Sequence, residues 1–121
     1  MENLILVVDD AKFARVITRK ALQNGGYENI VEATTAADAL AVFKEKKPDL
    51  TVLDITLPDN TDLTLLKKLL EIDPDAKIVI NSAIGQELII MDALKAGAKD
   101  FIVKPFDEKD FIQIINKVLG V

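Results

Sequence analysis

Apolar positions along this chain follow two rhythms that alternate. Short runs made almost wholly of Val, Ile and Leu, "LILVV" (4–8), "LTVLD" (50–54), "KIVIN" (77–81) and "FIVK" (101–104), are joined by the weaker "NIVEA" (29–33). Between them lie amphipathic stretches of helix length: Lys12 to Asn24, Ala36 to Lys46, Asp62 to Ile72, Gln86 to Ala96 and Glu108 to Leu119. Continuous apolar runs are how strands read when both faces of a parallel sheet are covered, and a three-to-four-residue recurrence marks a helix with one buried face. Five strand–helix units in strict alternation predict an α/β fold with right-handed crossovers. Gly25-Gly26 and Gly97 follow predicted helices, Pro48 and Pro74 precede predicted strands, and Thr61 or Asp62 is placed to cap the third helix. Periodicity leaves the strand order open. It does locate the chemistry, because open parallel sheets bind ligands beyond the carboxyl ends of their strands.

Those ends carry a complementary polar set. The first strand ends in Asp9-Asp10, the third in Asp54, the fourth in Asn81-Ser82 and the fifth in Lys104-Pro105. Adjacent carboxylates at the end of an apolar run repel one another and are costly to bury unless a cation meets them. Mg²⁺ prefers oxygen ligands and is commonly held by one or two carboxylates together with a phosphate oxygen. With Asp9 and Asp10 serving the metal, Asp54 is free to act as a nucleophile toward phosphorus, while Lys104 and Ser82 hold the remaining phosphoryl oxygens. Taken singly, Asp10 reads as a helix cap, Asp54 as a turn residue, Ser82 as a cap hydroxyl, Lys104 as a solvated lysine and Phe101 as core. Their coincidence at four strand ends carries the functional reading.

Composition removes the rivals. The 121 residues have room for one domain, 1–121, with 50% hydrophobic and 29% charged residues, as in ordinary globular domains. The absence of cysteine excludes disulfides and thiolate chemistry, and the absence of histidine removes the usual zinc ligands and imidazole bases. A net charge of −5 shows no basic stripe, so direct nucleic-acid binding is not expected. The apolar stretches fall short of the about 20 residues that span a bilayer, and Met1-Glu2-Asn3 lacks a signal-peptide layout. The expectation is a cytoplasmic protein without membrane association.

The segments "VVDDAKFAR", "DLTVLDITLP", "INSA" and "AGAKDFIVKPF" resemble the receiver domains of two-component response regulators over essentially the whole chain. Within that family, "DDAKFAR", "LDIT", "SAIGQ" and "GAKDFIVKPF" are most similar to CheY-like chemotaxis regulators. The resemblance implies a flavodoxin-like, doubly wound, five-stranded parallel sheet, (βα)5, with strand order 2-1-3-4-5. It implies that Asp54 is the phosphoacceptor for a sensor histidine kinase, Asp10 a direct Mg²⁺ ligand, and Asp9 a ligand largely through water. The backbone carbonyl of Thr56 would complete the protein's share of the metal shell. Lys104 would contact the phosphoryl group across a cis Lys104-Pro105 bond, Ser82 would hydrogen-bond it, and the Phe101 rotamer would follow Ser82. Such a protein catalyses only its own phosphorylation and dephosphorylation. It is expected as a monomer that docks on a downstream target, such as a flagellar switch component, through the fourth helix, fifth strand and fifth helix. On that face "LIIM" (88–91) cannot be wholly buried, since four successive helical residues sweep most of the circumference, and Ile90 is expected to be exposed beside Lys99 and Phe101.

The chain departs from the family at Thr61-Asp62, where receivers usually have Asp or Asn followed by Gly, so the loop after Pro58 is expected to take a different path. The positions that tune dephosphorylation match Thr56 and Ile84, and Ile84 offers no polar atom to orient water, which points to a long-lived phosphoryl state. Four other readings compete. A receiver cut from a longer regulator would share every feature above, and a scaffold that has lost its switching would not need the intact site. A haloacid-dehalogenase-like phosphatase would want a second Asp where Thr56 stands. A flavodoxin-type FMN binder would want a hydroxyl- and glycine-rich loop where "DDAKFA" stands.

Overall fold

A computed structural model describes residues 3–60 and 62–121. Its elements run β1 (Ile5–Val8), α1 (Lys12–Asn24), β2 (Ile30–Ala33), α2 (Ala36–Lys46), β3 (Leu50–Asp54), α3 (Thr64–Ile72), β4 (Ile78–Ala83), α4 (Glu87–Ala96), β5 (Asp100–Lys104) and α5 (Glu108–Leu119). The strands are all parallel in the order β2-β1-β3-β4-β5, as the resemblance implies. Every residue of β1 and β3 is buried, which is why those runs are unbroken in Val, Ile and Leu. The outer strands β2 and β5 are only partly covered, and this accounts for the polar interruption in "NIVEA".

Helices cover both faces, and strand alternation sorts the side chains between two cores. Leu6, Val8, Leu53, Ile78 and Ile80 pack with Ala39, Phe43, Leu65, Leu69 and Ala93 of α2, α3 and α4. Ile5, Val7, Leu50, Val52, Val79 and Ile102 pack with Ala21, Leu22, Phe111 and Ile115 of α1 and α5. Continued to the carboxyl edge, the second set leads to Asp9 after Val7, Asp54 after Val52, Asn81 after Val79 and Lys104 after Ile102. The register puts them side by side: Val8 pairs with Leu53, so Asp9 stands level with Asp54, and Asp54 pairs with Asn81.

Helices α1, α2 and α5 start at the residues the sequence predicts, while α3 and α4 start later for identifiable reasons. The N-cap of α1 is Ala11, not Asp10, and it is the Asp9 carboxylate that accepts the Ala11 N–H, at 3.0 Å. Helix α3 begins two residues later than predicted, where Asp62 Oδ1 accepts the Thr64 N–H at 2.9 Å and Asn60 Oδ1 accepts the Leu65 N–H at 3.2 Å. The alternative cap, Thr61, lies outside the described residues. Helix α4 begins one residue late, at Glu87, because the Gln86 side chain turns back to accept the Ala83 N–H at 2.6 Å. Gly97 closes α4 at φ 128°, a backbone conformation that favours glycine, and a Cβ there would also press on Leu70 Cδ1 at 2.9 Å.

After β3 the chain makes a tight turn in which Leu57 and Asn60 exchange two backbone hydrogen bonds of 3.1 Å each. From this turn Asp59 reaches across to the N-terminus of α2, accepting from Ala36 N–H at 2.8 Å and from Ala37 N–H at 3.3 Å. The Ala36 N–H above all holds the Asp59 carboxyl below its ordinary value. The loop that follows Asp54 is thereby tied to α2 through Asp59 and to α3 through Asn60.

Candidate functional site

The folding pattern gathers charge where solvent cannot screen it fully. Asp9 and Asp54 are 2% and 3% exposed, and Asp10 is exposed. One carboxylate oxygen from each of the three lies within 4.8 Å of the others. Lys104 Nζ donates to Asp9 Oδ2 at 2.9 Å and stands 3.5 Å from Asp54 Oδ2. The Lys104-Pro105 peptide bond is cis. Among the described residues three carboxylates therefore face one ammonium, and the donor set is all oxygen. Uncompensated negative charge among hard oxygen donors fits a hard divalent cation and does not fit a soft transition metal.

The orientation of Asp54 is set by the turn that follows it. Both the amide and the hydroxyl of Thr56 donate to Asp54 Oδ1, each at 2.9 Å. Oδ1 is thus engaged, and Oδ2 is the oxygen turned toward Lys104. Ser82 is fully buried, and its Oγ finds no hydrogen-bond partner among the described residues. Strand alternation places it on the opposite face from Asp54, the face that carries Phe101, which is 36% exposed. A cleft of about 290 Å³ beside Phe101 is lined by Ile84, Gly85, Ile90, Met91 and Leu94.

One expectation is overturned. Ile90 is 5% exposed, whereas Leu88 is 80% and Met91 52% exposed. Helix α4 turns inward the stripe of Ile89, Ile90, Ala93 and Ala96, at the spacing of one helical face, so the apolar surface passes to Leu88 and Met91. Lys99 is exposed as expected.

Two residues at the site were not singled out from the sequence as functional. Asn81, on β4 next to Asp54, is taken up below. Arg15 donates from Nη1 to the backbone carbonyl of Asp9 at 3.0 Å and from Nε to Glu32 at 2.8 Å, and Arg19 binds the same carboxylate at 2.8 Å. The signal for this was present: the chain's two arginines stand four apart on one face of α1, opposite the single acid of the edge strand. Burial alone would raise the Glu32 carboxyl, but the hydrogen bonds and charges of Arg19 and Arg15 outweigh it and hold the group below its ordinary value. A carboxyl lowered by folding contributes stability above its unfolded pKa, and that contribution is lost as pH falls through the folded value. Glu32→Gln should therefore be less stable than the parent at neutral pH, and the difference should vanish on acidification. Urea unfolding at a series of pH values, with a carboxyl NMR titration of Glu32, would check both.

A profile described as the response regulator receiver domain matches residues 5–116, and the chain belongs to that family. It is 43% identical over 118 residues to the chemotaxis protein CheY of Thermotoga maritima, covering 98% of each chain. Against CheY of Bacillus subtilis it is 44% identical over 120 residues, covering 99% of this chain and all of that one. Among solved structures, the receiver domain of NtrX from Brucella abortus superposes with a TM-score of 0.90 at 33% identity, covering 97% of this chain and 98% of that one. Among the described residues no helix is long and apolar enough to cross a membrane.

Proposed function

We propose that this chain is a phosphorylation-controlled switch of the chemotaxis type, with Asp54 as the phosphoacceptor. The observation that carries the reading is the pairing of Asp54 Oδ2 with Lys104 Nζ at 3.5 Å inside a cluster of three carboxylates. Asp54 Oδ2 attacks the phosphorus of a phosphohistidine on a sensor kinase; the O–P bond forms, the N–P bond breaks, and the imidazole leaves with the electron pair and takes up a proton. Thr56 fixes the angle of attack through Oδ1, and Lys104 neutralises charge that accumulates on the phosphoryl oxygens. Asp9, Asp10, Asp54 and the Thr56 carbonyl would hold Mg²⁺, which when bound supplies charge neutralisation to carboxylates and phosphoryl oxygens alike. An apolar strip on α1, with Phe13 78% and Ile17 43% exposed, borders Pro105 and Phe106 beside the site, where a protein donor has to approach.

Phosphorylation would draw the unpartnered Ser82 Oγ to the phosphoryl group and let Phe101 turn into the cleft beside it, altering the surface offered to a target protein. The phosphatase alternative is not favoured, because the position its general acid would need is held by Thr56, whose amide and hydroxyl are both spent on Asp54. Intact-mass analysis after incubation with acetyl phosphate and Mg²⁺ should show one phosphoryl group, located on Asp54 by peptide fragmentation. Chelation of the metal or Asp54→Ala should remove it. An adduct that survives Asp54→Ala would move the acceptor elsewhere.

A further inference from the structure

Asn81 is 2% exposed, and its Oδ1 has no hydrogen-bond partner among the described residues. A buried carboxamide oxygen without a donor is costly, and in a strand otherwise built from Ile and Val it calls for a reason. Its position supplies one. β4 lies between β5 and β3, so Lys104 can bring its ammonium to Asp54 and Asp9 only by crossing β4 on the face toward α1 and α5. Lys104 is in register with Ala83, while the row that holds Asp54 contains Asn81. Lys104 therefore reaches its partners on β1 and β3 across β4, in whose Asp54-level row Asn81 stands.

An ammonium has three donors and no acceptor. Asp9 Oδ2 takes one at 2.9 Å, and Asp54 Oδ2 lies at 3.5 Å. Once the Asp9 carboxylate serves a cation, it is no longer free for Lys104, and a second positive charge nearby drives the ammonium away from it. The lysine then needs another acceptor within reach of Asp54. We propose that Asn81 is a positioning residue for phosphoryl transfer, its buried carboxamide oxygen receiving the Lys104 ammonium when Asp9 is committed to the metal and so holding that ammonium over Asp54. This rests on the reading of Asp54 as the phosphoacceptor.

The test uses the full chain and a pair of nearly isosteric variants. Asn81→Val removes the unpartnered polar group and adds a good strand former, so its melting temperature should rise, and its Mg²⁺ affinity should be unchanged because no metal oxygen is touched. Its rate of phosphorylation by acetyl phosphate should nevertheless fall by about fivefold, the kinetic equivalent of one lost hydrogen bond. Asn81→Thr, which restores an oxygen acceptor in the same volume, should recover most of that rate. In the parent protein with Mg²⁺ and beryllofluoride, the Lys104 ammonium protons should exchange with water more slowly than those of surface lysines, and Asn81→Val should abolish that protection. A valine variant that phosphorylates at the parental rate, a threonine variant as slow as valine, or an unprotected Lys104 in the parent would each overturn the proposal. A parent protein that takes no phosphoryl group on Asp54 would instead defeat the reading beneath it.

Discussion

Without metal, Asp10→Asn is expected to melt at a higher temperature than the parent protein, and with saturating Mg²⁺ at a lower one. Three carboxylates contribute oxygens within 4.8 Å of one another, and Lys104 is committed mainly to Asp9. Like charges 4 Å apart repel by about 4 kcal/mol at the effective dielectric near a protein surface, of which the solvated Asp10 bears a reduced part. Replacing Asp10 by a neutral isostere relieves that repulsion without disturbing the buried Asp9, whose carboxylate accepts the Ala11 N–H and pairs with Lys104. The same replacement removes a proposed metal ligand. A ligand present at 100 times its dissociation constant stabilises the folded state by about 2.7 kcal/mol, which for a domain of this size is a rise of roughly 8–15 °C. Thermal unfolding of both proteins across a Mg²⁺ titration should give curves that cross. Equal stabilisation of the two by Mg²⁺ would remove Asp10 from the ligand set.

The sequence was readable where one physical rule dominates and opaque where packing decides. The β1, β3 and β4 runs could be placed because a strand covered on both faces must be apolar throughout. The chemistry could be placed because Asp9, Asp54 and Lys104 stand at the carboxyl ends of strands, where open parallel sheets bind their ligands. Neither rule orders the strands, since pairing is a matter of long-range contacts, and the order came from family resemblance. Local rules also set the helix starts imperfectly. Asp10 and Asp62 were both reasonable caps, yet Ala11 stands at the N-cap of α1, its N–H held by Asp9, and the Leu57–Asn60 turn defers α3 to Thr64. Nothing local marks Asp59, because its partners, Ala36 and Ala37, lie 22–23 residues away across the fold. The sequence places Asn81 at a strand end without revealing a role, for a buried asparagine can be told from a turn asparagine only once its burial is known.

Ile90 shows the same limit and leads to the sharpest contrast between neighbouring residues. The helical sweep of "LIIM" guarantees that some apolar side chain meets water, but it does not say which one. The deciding clue was Ala93, fully buried three residues beyond Ile90: small residues on α4 mark where the helix lies against the sheet, and Ile90 shares that stripe. Ile90→Ala should therefore act as a core truncation, costing about 2–4 kcal/mol in urea unfolding. Leu88→Ala and Met91→Ala, three residues apart and well exposed, should stay within about 0.5 kcal/mol of the parent. Loss of target binding in Ile90→Ala would thus report unfolding and not a docking contact, whereas loss in the Leu88 or Met91 variants would report the surface itself. Met91 and Phe101 line one cleft, so the proposed turn of Phe101 would reshape the surface beside Met91. Beryllofluoride with Mg²⁺ should accordingly shift the amides of Leu88, Met91 and Phe101 in the parent protein, and Phe101→Ala should leave Leu88 and Met91 unshifted while the amides around Asp54 still respond. If Leu88 and Met91 respond equally without the Phe101 ring, the signal reaches α4 through the β4–α4 loop at Ile84 and Gly85, and the aromatic side chain is not its carrier.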